Sequence, residues 1–187
     1  MDNIFLKQYL NDFTSCLNQD EGNLDKLVEL KNRILETNSK SGKVIIVGNG
    51  GSAAISSHFS VDLTKNANVR ALNFNEADLI TCFSNDYGFE NWISKAIEFY
   101  SDPEDLIILI SSSGKSLNMI NAADTAKGLG IKNIVTFTGF LKDNPLSNKG
   151  NINFWVNSKA YNFIENIHQI WLLSIVDLII GDKYYKA

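Results

Sequence analysis

The spacing of apolar residues changes character along the chain. Ile4, Phe5, Tyr9, Leu10, Phe13 and Leu17 recur at helical intervals and predict a helix over 2–19. After a break at 20–23, Leu24, Leu27, Val28, Leu30, Ile34 and Leu35 predict a second helix, stopped near 39–42. From Val44 the pattern is a short unbroken apolar run, Val44-Ile45-Ile46-Val47, that halts at Gly48-Asn49-Gly50-Gly51-Ser52. Runs of the same kind predict strands over 43–47, 69–72, 105–110, 134–138 and 152–156. Helical spacing fills the intervals from Ala53 to Lys65, Glu76 to Phe83 (capped by Asn73 or Asn75), 92–100, and Leu117 to Gly128 or Gly130. Residues 85–88 read as a turn. A last helix over 161–181 is apolar on most sides, which places it between partners or subunits.

Strands alternating with helices imply βαβ units and a parallel sheet covered on both faces. At 187 residues the chain predicts one domain, with a helical hairpin over 1–40 and an α/β core with its terminal helix over 43–187. Ligands of such sheets sit outside the carboxyl ends of the strands.

Composition narrows the partners. A net charge of −4 argues against nucleic acid or an anionic membrane surface. The longest apolar stretch, 170–180, is interrupted by Ser174 and Asp177 and falls short of a membrane span. The N-terminus has no apolar leader, and Cys16 and Cys82 form no CxxC. They read as buried free thiols in a reducing, cytoplasmic setting.

Two loops carry the chemistry. Gly48 to Ser52 ends one strand and opens a helix, so backbone N–H groups are left for an anion. The loop also fits G-x-G-x-x-A at Gly48, Gly50 and Ala53, but a dinucleotide site expects an acid at the end of the next strand, where Asn73, Phe74 and Asn75 stand. The second loop, Ser111-Ser112-Ser113-Gly114-Lys115-Ser116, puts four hydroxyls in six positions before another helix. It is not a nucleotide-triphosphate loop, because Leu109 occupies the required first glycine. Two such loops at two strand ends suit one small phosphorylated ligand. A third set is His58 with Asp62, four apart, and Glu165 with His168, three apart. Each pair is read as sharing a helix face. Such groups bind zinc or shuttle protons, or simply satisfy one another.

In order, Gly48 to Ser52, His58-Phe59, Asn85-Asp86-Tyr87-Gly88 and Ser111 to Ser116 resemble the sugar-isomerase (SIS) domain, closest to its phosphoheptose isomerases. The resemblance covers nearly the whole chain. It implies a five-stranded parallel sheet of flavodoxin-like order, a homotetramer with sites at subunit interfaces, and aldose–ketose isomerisation of a sugar phosphate, most simply sedoheptulose 7-phosphate. By position it implies that Asn49, Gly50, Gly51, Ser52, Asn85 and Asp86 contact the sugar and that Ser111, Ser112, Ser113 and Ser116 hold the phosphate.

The acid/base set departs from the family. His58 keeps the first zinc ligand of the isomerases, but their glutamate base is Asp62 here, their glutamine is Glu165, and their proton-transferring histidine is Leu173. A family arginine is replaced near Asn66, and His168 matches a non-catalytic histidine. The expectation is therefore that Asp62 and Glu165 are catalytic, that Glu165 also touches substrate, and that zinc, if used, is held by His58, Asp62 and Glu165. Two carboxylates sharing a proton are the metal-free alternative. A non-catalytic phosphosugar-binding or adaptor protein is the rival reading, motivated by Leu173.

Overall fold

The computed structural model describes residues 1–18 and 22–184. Five parallel strands run in the order β2-β1-β3-β4-β5, the flavodoxin-like order. They are β1 (Val44–Gly48), β2 (Ala71–Leu72), β3 (Leu106–Ser111), β4 (Asn133–Thr138) and β5 (Ile152–Trp155). The helices are α1 (Asp2–Leu17), α2 (Gly22–Ser39), α3 (Gly51–Lys65), α4 (Ala77–Tyr87), α5 (Trp92–Tyr100), α6 (Leu117–Gly128) and α7 (Tyr161–Ile180).

The central strands are continuous apolar runs because helices cover both faces. Alternate side chains of β1 sort accordingly: Val44 and Ile46 join the core under α2, α3 and α7, while Ile45 and Val47 join the core under α5 and α6. Phe137 and Phe154 stack across β4 and β5, with centroids 4.5 Å apart, beneath α7. At the amino end, buried Asp105 accepts the Lys43 and Asp102 amides and pairs with the Lys43 ammonium at 2.7 Å, which pins the start of β1 beside β3.

Several local expectations are corrected. Asn85, Asp86 and Tyr87 are not a turn; they complete α4, and Gly88 ends it at φ 84°. Neither asparagine caps α4, whose N-cap is Glu76. The Asn75 amide instead donates to Ala53 O and Ser57 Oγ, both at 2.8 Å, and so ties that loop to α3. Residues 69–70 lie outside β2. Helix α3 begins two residues earlier than expected, because Gly50 at φ 55° turns the chain straight from the strand. Both thiols are free, but neither is fully buried: Cys16 is half-buried where the end of α1 packs against the core, and Cys82 is exposed on α4.

Helix α7, by length and composition, is long and apolar enough to cross a membrane, against the expectation from 170–180 alone. Here Ile164, Ile167, Trp171, Leu172, Ile175 and Val176 are buried against the fold, where α7 packs on α1, α2 and α3. Ile170 and Leu178 remain exposed on its other side. Helix α1 buries none of its own residues and meets α7 through Tyr9 and Phe13 on Phe163.

Candidate phosphosugar site

Strands β1 and β3 are neighbours, and their following helices α3 and α6 leave toward opposite faces of the sheet. The crevice between such diverging connections is where an α/β sheet accepts a ligand. A cavity of about 130 Å³ lies there, lined by Asn49, Ser52, Ile110, Ser111, Ser112, Ser113, Ser116, Tyr161 and Glu165. The two loops singled out from the sequence thus meet at one place.

The serine loop has groups to offer. Ser111 Oγ donates to Ser116 Oγ at 3.1 Å, and the Lys115 amide donates to Ser113 Oγ at 3.3 Å. Ser112 Oγ is buried and has no partner among the described residues. Ser116 is the N-cap of α6 without a side-chain bond to the helix, leaving first-turn N–H groups toward the cavity. Gly114, at φ 65°, makes the reversal possible, and its carbonyl accepts the Leu146 amide.

One reciprocal contact joins the two loops. Asn49 Nδ2 donates to Asn118 Oδ1 at 3.0 Å, and Asn118 Nδ2 returns the bond to Asn49 Oδ1 at 2.9 Å. Asn118 is buried in the first turn of α6. Sequence reasoning missed it, although its place two residues past the serine loop was the available signal. Asn118→Ala is expected to raise KM for a sugar phosphate about tenfold and to cost about 1–3 kcal/mol, through loss of both bonds and an unpaired Asn49 amide. Steady-state kinetics and thermal unfolding check the two effects.

Glu165 reaches the cavity from α7. Its carboxylate lies over the bare Cα of Gly51, where any side chain would collide with it. Burial pushes its carboxyl above the usual carboxylate range. His168 does not share its face. Its ring is fully buried, stands edge-on to Phe137 and bonds Thr138 O through Nε2 at 3.1 Å, facing the sheet rather than the cavity. Desolvation lowers its pKa to about 4.

His58 and Asp62 do pair, Nε2 to Oδ2 at 3.3 Å, on the part-exposed side of α3. Gln169 Nε2 lies 3.3 Å from His58 Nδ1, so this amide as donor leaves the imidazole proton on Nε2, facing Asp62. Gln169, one turn beyond Glu165, was not singled out from the sequence. Glu165 is not part of this cluster. Among the described residues no three of His, Cys, Asp and Glu come together as a metal site, so the expected zinc set is not assembled within one chain. His58 and Asp62 supply two donors, and aliphatic Leu173 has none to offer. These residues do not by themselves fit a zinc centre. Asn85 and Asp86 bond each other at 2.8 Å at the exposed end of α4 and do not line the cavity. Asn73, where a dinucleotide fold would carry its ribose-binding acid, donates to Ser60 Oγ at 2.8 Å.

A parallel sheet in this order, with a hydroxyl-rich loop across from a glycine loop, defines an α/β protein with a polar ligand crevice at the carboxyl ends of its central strands. The profile of the SIS domain matches residues 7–139, and the chain belongs to that family. It is 31% identical to the probable phosphoheptose isomerase of Thermoplasma acidophilum over 169 residues, 87% of this chain and 91% of that one. It is also 31% identical to the phosphoheptose isomerase of Helicobacter pylori strain P12 over 140 residues, 72% and 73% of the two chains. The structure of phosphoheptose isomerase GmhA from Neisseria gonorrhoeae superposes with a TM-score of 0.88 over 97% of this chain and all of the other, at 23% identity.

Proposed function

We propose that the chain is a phosphosugar aldose–ketose isomerase of the phosphoheptose type, acting on sedoheptulose 7-phosphate or a close relative. The observation that carries this reading is a carboxylate, Glu165, with a raised pKa in the same cavity as the phosphate-ready serine loop. The phosphate end of the sugar takes Ser111, Ser112, Ser113, Ser116 and the α6 N-terminus. The glycine loop at Asn49 to Ser52 faces the carbon chain. Glu165 removes the proton beside the carbonyl, giving an enediol, and returns it to the neighbouring carbon. The proton transfer between the two oxygens is assigned to Asp62 and the His58 Nε2–H it faces, a pair on α3 outside the lining of this cavity. Gln169 holds that imidazole in the required tautomer.

The rows of exposed apolar side chains support a homotetramer with sites at subunit interfaces: Ile4, Phe5, Leu6 and Leu10 on α1, Val61 on α3, Ile170 and Leu178 on α7. In that assembly Asn85 and Asp86 reach a site from a neighbouring subunit, and any zinc on His58 and Asp62 takes its remaining ligands the same way. The free thiols are consistent with a cytoplasmic location.

Incubation with sedoheptulose 7-phosphate, with and without zinc, tests the activity and its metal dependence together. Turnover is expected, and Asp62→Asn is expected to lower kcat by about 10²–10⁴ with KM little changed. Clear binding without turnover of this or any related sugar phosphate would sink the isomerase reading. It would leave a phosphosugar-binding or adaptor protein, the reading that aliphatic Leu173 favours.

A further inference from the structure

Tyr161 has no part in the chemistry assigned above, yet it lines the phosphosugar cavity. It stands in the first turn of α7, four residues before Glu165, so the two share a helix face and lie about 6 Å apart along the axis. Tyr161 is 56% exposed and Glu165 half-buried, which puts the tyrosine at the mouth and the carboxylate deeper. Apart from Ile110, buried in β3, every other residue lining the cavity is polar. The Tyr161 ring is therefore the one exposed aromatic surface there among the described residues. It is held from the side. Phe140 packs on it, with ring centroids 5.0 Å apart and planes at 59°, and itself packs against the core under α7. Phe140 sits at φ 55°, a left-handed conformation that a bulky residue keeps only where its surroundings fix it. Its amide donates to Ser158 O, and the Gly139 amide before it donates to Ser112 O, both at 2.9 Å. One strained link thus ties the serine loop to the turn that starts α7.

We propose that Tyr161 is a specificity-determining residue of this site: its ring, fixed by Phe140, is the wall against which the carbon chain of the sugar phosphate lies. The phosphate takes the serine loop and does not reach the ring. Sugar carbons carry C–H as well as O–H groups. An aromatic face set among hydrogen-bonding groups lets a pocket tell such a body from a bare anion. A tyrosine side chain has only two torsions to fix, and the Phe140 contact already restrains them, so little ordering cost remains when the sugar arrives. The inference rests on the phosphosugar reading of the cavity but not on turnover, and it concerns a residue outside the acid/base set.

Calorimetric titration of the intact protein with sedoheptulose 7-phosphate and with inorganic phosphate separates the wall from the anion loop. Tyr161→Ala is expected to weaken binding of sedoheptulose 7-phosphate about tenfold and of inorganic phosphate by less than about twofold. Tyr161→Phe, which keeps the ring, is expected to restore the wild-type affinity. Phe140→Leu keeps apolar bulk at the link but removes the ring beside Tyr161. It is expected to give a smaller loss with the same selectivity, about threefold. Equal losses for the two ligands, unchanged affinity in Tyr161→Ala, or Tyr161→Phe as weak as Tyr161→Ala would each overturn the assignment. Normal wild-type binding without turnover would remove the isomerase reading and leave this inference standing. A wild-type protein that binds neither ligand would remove the phosphosugar site and this inference together.

Discussion

Glu165→Gln is expected to lower kcat for sugar-phosphate isomerisation by about 10²–10⁴ while tightening binding of the same ligand. The two effects come from one group. The carboxylate is the base, and it is also a negative charge in the cavity that receives a phosphate. Its raised pKa reflects burial, so the charged form is already disfavoured before ligand arrives. Above that pKa the carboxylate repels the phosphate; below it the neutral acid does not. The affinity difference between wild type and Glu165→Gln is therefore expected to be largest near pH 8, about three- to tenfold, and to shrink as pH falls. Calorimetric titration with a sugar phosphate at several pH values, set beside kcat, separates the roles. A variant that lost affinity instead would make Glu165 a substrate-binding group rather than the base. Undiminished turnover in an Asp62→Asn, Glu165→Gln double variant would remove both carboxylates from the mechanism.

Acid sensitivity is the second large effect. His168 is neutral in both folded and unfolded chains above pH 6.5 and contributes no pH dependence there. Below 6.5 the unfolded chain takes up a proton that the buried ring refuses until about pH 4. Stability is thus lost as pH falls across this window, by about 3 kcal/mol at pH 4, or roughly 6–12 °C in Tm for a chain of this size. His168→Leu is expected to flatten that part of the Tm profile. It removes an Nδ1 with no partner among the described residues and leaves Thr138 O still bonded to the Val156 amide. Equal slopes for variant and wild type between pH 6.5 and 4 would show that other groups govern acid unfolding.

Much of the fold was legible because its signals are local. Continuous apolar runs between amphipathic stretches specify a covered parallel sheet, and the glycine and serine clusters at strand ends mark the loops that line one cavity. The misreadings came where local pattern and tertiary demand diverge. Asn85 to Gly88 has turn composition, yet only Gly88 leaves the helix, because the three residues before it prolong α4. Asn75 has the chemistry of a helix cap, but a stronger use for its amide lay in α3, far along the chain. Glu165 and His168 sit three apart, a spacing compatible with one face. The sheet under α7 splits them, taking the imidazole into the core and leaving the carboxylate at the cavity.

Sequence alone determined the strand–helix order, the glycine and serine loops at the ends of β1 and β3, and the family itself. Each of these resides in residue identity and short-range spacing. Tertiary structure alone decided that Glu165 lies over Gly51 beside the serine loop, that Gln169 rather than Glu165 meets His58, and that Asn49 and Asn118 lock the two loops together. Those contacts join residues tens of positions apart, and their existence depends on how α7 and α6 lie against β1 and β3. Side-chain spacing within one helix carries no information about which neighbour each face will meet.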